Sequence, residues 1–107
     1  MTQELKSVNW AGRSYEDFTS FPKTVLREFG YDLYLLQIGQ EPRDSSPMRT
    51  VGASVREIRV KDSKNQYRVI YVVKKADGVW VLHAFQKKTR ITPKEVIDLA
   101  KTRFKQI

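Results

Sequence analysis

Apolar positions recur along the chain with two different periods, which predict helices in some segments and strands in others. Within residues 22–38 the apolar residues recur every three or four positions, which is typical of a helix that packs one face on a core. They are Val25, Leu26, Phe29, Leu33 and Leu36. Gly39 then favours a stop. Residues 93–105 show a similar period, with an apolar side made of Val96, Ile97, Leu99, Ala100 and Phe104. Residues 14–20 predict a shorter helix.

Alternating or continuous apolar runs predict four strands, over residues 7–11, 54–61, 67–73 and 79–85. Asp77-Gly78 is a strong hairpin signal between the last two strands. Residues 40–50 contain two prolines and two serines, so we expect a surface loop there.

This order of elements predicts an α+β protein: a short strand, two helices, a three-stranded antiparallel meander and a closing helix. We expect the helices to pack on one face of the sheet and the other face to be free for a site. A chain of 107 residues can bury one hydrophobic core without disulfide bonds or a bound metal, so residues 1–107 are predicted to form a single domain.

Composition excludes several classes of chemistry. The chain has no cysteine and one histidine, which excludes disulfides and thiol catalysis and argues against a structural zinc site. No glycine-rich phosphate loop or paired-carboxylate metal site is present, so no cofactor is expected. Without a signal peptide or a membrane-spanning run, we expect a soluble cytoplasmic protein with no membrane partner.

Positive charge is concentrated in the middle of the sequence. Residues 1–42 carry four Lys and Arg against six Asp and Glu, whereas residues 43–90 carry twelve against four. A basic surface can serve solubility alone. An excess confined to one segment is better explained by a partner with phosphates, either nucleic acid or the ribosome.

Arg68 interrupts an otherwise apolar strand and must find a partner, since an unpaired buried charge is costly. The sequence leaves two interpretations open. One is an ion pair with Glu57 on the neighbouring strand, and the other is a bidentate contact with a phosphate.

Further cations are predicted to converge on Arg68 from the adjacent strands: Lys87, Lys88 and Arg90 on one side, and Arg49, Arg56 and Arg59 on the other. Such a cluster can bind the RNA backbone and stabilise the charge that develops when a ribose 2′-OH attacks phosphorus. This cleavage needs no metal, but it needs a base and a proton donor.

The base is less clear than the cations. His83 has a suitable intrinsic pKa, yet its place inside a strand predicts a hydrogen-bonded structural histidine. Glu57, or a lysine whose pKa is lowered by cationic neighbours, is the alternative. Tyr67 and Tyr71 are predicted to pack in the core or to stack on bases.

Several of these segments together resemble the RelE/ParE superfamily of bacterial toxins, nearest its HigB-like, phage-derived branch. The resemblance covers most of the chain from Val8 onward. It rests on Phe21-Pro22, Gly30-Tyr31, Gln37-Ile38-Gly39, Val55-Arg56-Glu57-Ile58-Arg59, Tyr67-Arg68-Val69-Ile70-Tyr71, Leu82-His83-Ala84-Phe85-Gln86-Lys87-Lys88-Thr89 and Thr92-Pro93.

The resemblance implies a small RelE-like domain acting as the toxin of a type II toxin–antitoxin system. It implies a ribosome-dependent mRNA endoribonuclease, or mRNA interferase, that inhibits translation and is held inactive by a helix-turn-helix, HigA-like antitoxin. The superfamily's phosphate-binding arginine maps onto Arg68, and its cation at the end of the last strand maps onto Lys87 or Lys88. The C-terminal tyrosine of some relatives has no counterpart, because no tyrosine follows Tyr71.

Two other functions fit the same residues. One is a non-enzymatic, gyrase-poisoning inhibitor of the ParE type, and the other is a plain basic nucleic-acid-binding domain. For an antitoxin, the predicted contact surface is Tyr31, Tyr34 and the loop of residues 40–50.

Overall fold

The structure, a computed structural model, describes residues 4–107, so the first three residues of the predicted domain lie outside the described part. Its elements are β1 Val8–Trp10, α1 Ser14–Thr19, α2 Lys23–Gln37, β2 Ser45–Pro47, β3 Arg56–Asp62, β4 Asn65–Lys74, β5 Gly78–Lys87 and α3 Lys94–Lys105. Five strands form one sheet in the order β1-β5-β4-β3-β2. The α+β class and the antiparallel meander β3–β4–β5 are confirmed.

The helices cover both faces of the sheet, whereas the sequence predicted that they share one. Val69 and Tyr71 of β4 pack in the same cluster as Phe29 of α2, while Ile70 and Val72 pack in a second cluster with Ala100 of α3. Successive strand residues point to opposite faces, so these clusters lie on opposite sides. We call the two sides the α2 face and the α3 face. α3 therefore covers part of the face that was expected to be free for a site.

Two short strands border the meander. β1 pairs with β5 in parallel, through Val8–Val79, Asn9–Trp80 and Trp10–Val81. β2 lies in the predicted loop and pairs with β3 through three residues. A three-residue strand that ends in proline has too few positions to show alternation, and this explains why the sequence pattern does not reveal it.

β5 contains one extra residue relative to β4. Tyr71 lies opposite Val81, but Ile70 lies opposite His83, which leaves Leu82 between the two pairs. This β-bulge lets Val81 and Ala84 face the same core although they are three residues apart.

The bordering strands cover only one end of the sheet. β1 reaches no farther along β5 than Val81, and backbone pairing along the outer edge of β3 ends where Arg59 N donates to Asp44 O, at 2.9 Å. The remaining part, residues 60–68 with residues 83–87, is three strands wide, and we call it the open end. Lys61, Lys64 and Lys87 lie there, and Lys88 follows directly. Within residues 4–107 no helix is long and apolar enough to cross a membrane.

Candidate functional site

Arg68 and Glu57 form a buried ion pair on the α3 face. Arg68 Nη1 donates to Glu57 Oε1 at 2.6 Å, and its Nη2 donates to Gln66 Oε1 at 2.9 Å. Both residues are less than a tenth exposed. Of the two interpretations of Arg68, the ion pair is therefore present, and it leaves Glu57 Oε2 and Arg68 Nε buried without a hydrogen-bond partner in the described structure.

Arg59 extends this pair into a charged row that reaches β2. Its Nη1 lies 3.6 Å from Glu57 Oε1, and its Nη2 lies 2.9 Å from Asp44 Oδ1. Ser46 Oγ accepts a further hydrogen bond from Arg59 Nη1 at 3.0 Å. The hydrogen bond to Asp44 is the main cause that raises the pKa of Arg59. Arg59 thus lies beside the Glu57–Arg68 pair but already has an acidic partner.

Lys87 lies on the same face as Arg68 because its register partner is Gln66, two residues before Arg68 on β4. Lys88 and Arg90 follow in the exposed segment between β5 and α3. Among the described residues these three cations form no salt bridge. They are therefore available to an anionic ligand in a way that Arg59 and Arg68 are not.

Arg56 and Arg49 do not converge on Arg68. Arg56 lies opposite Tyr71 on the α2 face and donates from Nη2 to Ser45 Oγ at 3.1 Å. Arg49 is exposed in the segment that leads from β2 into β3, at the end of β3 away from Lys87. Successive side chains of a strand point to opposite faces of the sheet. Arg56 and Arg59 are three positions apart in β3, so they lie on opposite faces.

The tyrosines of β4 pack in the core. Tyr67 and Tyr71 are buried on the α2 face, and the ring of Tyr67 meets that of Phe21 edge-on at 5.0 Å between centroids. Burial also raises the pKa of the Tyr71 hydroxyl. Neither ring is placed to stack on a base next to Arg68.

His83 is held from both sides in the way predicted for a structural histidine. Its Nδ1 lies 3.3 Å from Asp17 Oδ2 and 3.3 Å from Arg103 Nη1. Its ring stacks on Phe85 at 5.4 Å. Burial lowers the pKa of His83, and the carboxylate of Asp17 only partly opposes this.

Arg103 is a buried residue that sequence reasoning missed. It reaches from α3 to β5, where Nη1 donates to Leu82 O at 2.9 Å, and to α1, where Asp17 Oδ2 lies 3.4 Å away. The signal was its position three residues after Ala100, which puts a charge on the buried side of α3.

The predicted antitoxin surface contains a second missed cluster. Tyr31 and Tyr34 are about half exposed on α2. Arg43 lies 4.9 Å over the Tyr31 ring and binds the buried carboxylate of Asp32, with Nε 3.0 Å from Oδ1. This contact fixes the chain between α2 and β2.

The described residues contain no group of three or more acidic or histidine side chains that could hold a metal.

Comparison with known proteins agrees with this architecture. The family described as phage derived protein Gp49-like matches residues 16–105. A mutant of the E. coli toxin RelE in the free state has the same fold, with a TM-score of 0.62 and 15% sequence identity over 96% of this chain and 98% of that one. No curated protein sequence matches the chain significantly. The chain therefore belongs to the phage derived Gp49-like family and has the fold of RelE, so the predicted resemblance to the phage-derived branch of the RelE/ParE superfamily is confirmed.

Proposed function

We propose that this protein is the toxin of a type II toxin–antitoxin system and that it cleaves mRNA on the ribosome. The observation that carries the proposal is the grouping of Lys87, Glu57 and Arg68 on one sheet face, next to the exposed Lys88 and Arg90. A phosphodiester placed there would meet free cations at its oxygens and a carboxylate beside them. Family membership supports the same class of protein.

The chemistry we propose is in-line attack of the ribose 2′-OH on the adjacent phosphorus. Glu57 Oε2, which is buried without a hydrogen-bond partner in the described structure, takes the 2′ proton once RNA binding has moved the side chains that cover it. The bond between phosphorus and the 5′ oxygen breaks, and the 5′ oxygen takes a proton from Lys87 or Lys88, which leaves a 2′,3′-cyclic phosphate. Arg68 orients Glu57, and the lysines stabilise the charge on the phosphoryl oxygens.

The surrounding cations would bind RNA beyond the reacting phosphate. Arg59 and Arg90 lie on or next to the α3 face and are proposed to contact the message, whereas Arg49 and Arg56 can contact only more distant RNA. The proposed partners are the ribosome with its mRNA, and a helix-turn-helix, HigA-like antitoxin. The proposed place of action is the cytoplasm, where ribosomes translate.

One observation favours a second candidate, a non-enzymatic inhibitor of the ParE type. Glu57 already neutralises Arg68 in the structure, and a protein that acts only by surface contacts would need this pair for stability alone. The two candidates differ in whether message ends appear and in whether the lysines are required.

The test is tightly controlled expression in bacteria, with mRNA ends mapped by primer extension within minutes. We expect new codon-phased 5′ ends in translated regions, and we expect Lys87→Ala combined with Lys88→Ala to abolish them. Lys74→Ala with Lys75→Ala, at the β4–β5 turn, is the matched control, because it removes the same charge at the other end of the sheet.

The ion pair needs a variant that still folds. Arg68→Ala alone would leave the buried Glu57 with only the 3.6 Å contact to Arg59 Nη1, and removing one partner of a buried ion pair costs about 3–5 kcal/mol. Glu57→Leu with Arg68→Met replaces both charges with apolar groups, and we expect a folded protein without cleavage. Growth arrest with intact messages and double-strand breaks in DNA would point to the ParE-type candidate, and no arrest would point to a plain binding domain.

A further inference from the structure

Phe85 carries an aromatic ring on the α3 face, directly opposite Arg68. The two residues are register partners on neighbouring strands, so their side chains point to the same side of the sheet. Phe85 packs against the hydrophobic cluster beneath α3 but remains partly exposed. Tyr67, which also belongs to the open end, is buried on the α2 face instead. Phe85 therefore lies beside the Arg68 ion pair, and the proposed chemistry leaves its ring without a role.

The ring of Phe85 is the second member of a stack that begins with His83. The two ring centroids are 5.4 Å apart and the ring planes differ by 13°, so the rings are nearly parallel. Residues on the same face of a strand follow one another at about 6–7 Å, and the stack therefore extends along β5. Lys87 is the next residue of β5 on this side. His83 covers one face of the Phe85 ring, and the other face is turned toward Lys87.

We propose that this second face of the Phe85 ring stacks on a nucleobase of single-stranded RNA, so that the base extends the His83–Phe85 stack toward Lys87. The aliphatic stem of Lys87 would cover the far side of the base. The ammonium groups of Lys87 and Lys88 would then reach the phosphate of the same nucleotide. The choice of RNA as the ligand rests on the proposed function. The stacking site adds to that function a contact that holds one base beside the buried ion pair.

The combination of groups on this surface favours a nucleotide over other anions. Lys87 and Lys88 suit a phosphate, and the aromatic ring next to them suits the flat face of a base. A nucleotide presents both groups at a fixed distance from each other. An acidic protein segment would neutralise the lysines, but it brings no flat ring at a set distance from its charge. Because a purine offers a larger face than a pyrimidine, we expect purines to bind more tightly at this site.

The test measures, by fluorescence anisotropy, the affinity for short labelled RNA oligonucleotides in which every 2′-OH is methylated, so that cleavage cannot occur. One oligonucleotide carries purines and the other has the same backbone without bases. We expect the parent chain to bind the first about tenfold more tightly, which is the size of one stacking contact. Phe85→Leu keeps an apolar side chain on the core but has no ring, and it should lose most of this difference. Phe85→Tyr should discriminate as the parent chain does.

Trp80→Leu is the matched control, because Trp80 packs on the same face near the other end of β5. This variant also exchanges an aromatic ring for leucine, but it should keep the discrimination between the two oligonucleotides. A second readout needs no substitution at all. In the parent chain bound to the purine oligonucleotide, we expect nuclear Overhauser effects between base protons and the ring protons of Phe85.

The proposal is overturned if the parent chain binds both oligonucleotides equally, or if Phe85→Leu retains the full difference. Base protons that contact other rings and not Phe85 would also overturn it, as would an acidic peptide that shifts the Phe85 ring signals when the RNA does not. The binding assay does not depend on cleavage. A chain that discriminates bases but cleaves no message would therefore contradict the proposed function and leave the stacking site standing, whereas cleavage without discrimination would overturn the stacking site alone.

Discussion

The environment of His83 shows how a single protonation site can have two competing partners. Nδ1 with a proton can donate to Asp17, whereas Nδ1 without one can accept from Arg103. Burial favours the neutral ring and lowers its pKa. The neutral histidine is therefore part of the contact that joins α1, β5 and α3.

We predict that the folded state loses stability in acid because of His83. Its pKa is lower in the folded chain than the ordinary value of 6.5. As the pH falls below that value, the unfolded chain takes up the proton first, and the free energy of unfolding decreases. Urea unfolding of the wild type and of His83→Asn at about pH 7.5 and about pH 5.5 tests this. The variant should lose less stability over this range, and equal losses would contradict the assignment.

At the scale of elements, α3 depends on small residues beneath it. Ala100 is fully buried on the sheet, and a Cβ at Gly52 would lie 2.6 Å from Cε2 of Phe104. A Cβ at Gly12 would lie 2.8 Å from Nε of Arg103. Side chains of the last helix therefore approach backbone at two points, where an added Cβ would have to move the ring of Phe104 at Gly52 or the guanidinium end of Arg103 at Gly12.

We predict that Gly52→Ala lowers the free energy of unfolding by about 1–3 kcal/mol, because the aromatic ring of Phe104 must move. Gly30→Ala is the control. No atom lies within 4 Å of a Cβ at Gly30 on the exposed side of α2, and alanine is the better helix former. That change should raise stability by about 0.5–1 kcal/mol. Urea denaturation of both variants, followed by the circular dichroism of the whole chain, would show changes of opposite sign in the free energy of unfolding, and a neutral Gly52→Ala would disprove the contact.

Sequence periodicity predicted the elements well and their layering less well. Runs such as residues 67–73 and 79–85 fixed the central strands to within a few residues, because long buried strands have a strong apolar signal. The face covered by α3 could not be predicted, since its apolar stripe fits either side of a sheet. Leu99, expected on the buried side, is 37% exposed, while Arg103 is buried.

Part of the candidate site could be predicted for the same reason. The strand alternation that brings Glu57, Arg59, Arg68 and Lys87 to one face can be counted along the chain once the register is known. The prediction that Arg56 converges on Arg68 was wrong, because strand alternation puts Arg56 on the other face of the sheet. The contacts of Asp17 with His83 and of Asp32 with Arg43 join residues from different elements, and local patterns contain no information about them.

At the scale of the whole molecule, the effect of the net charge of +8 on RNA binding depends on where the cations lie. Cations at the open end stand next to the candidate site, whereas Lys74 and Lys75 lie at the opposite turn. Only the first group is placed to release counterions when RNA occupies the α3 face.

We predict that the affinity for single-stranded RNA falls as the salt concentration rises and that the cations at the open end cause this dependence. Lys87→Ala with Lys88→Ala should reduce the slope of log affinity against log salt by about 1.4, since each lost phosphate contact contributes about 0.7. Lys74→Ala with Lys75→Ala changes the net charge equally and should leave the slope unchanged. Fluorescence anisotropy over a salt series measures both slopes, and equal decreases would show that only net charge matters.

The extra residue in β5 also determines how the chain can change length during evolution. Deleting any other residue within a strand would turn every later side chain of that strand to the wrong face. Deleting Leu82 would keep all the cross-strand partners of β5, because that residue lies opposite no residue of β4. Its cost would be one fully buried leucine and the carbonyl that accepts a hydrogen bond from Arg103 Nη1. Relatives that differ by a single residue in this strand should therefore differ at the bulge, with both the core and the cationic end preserved.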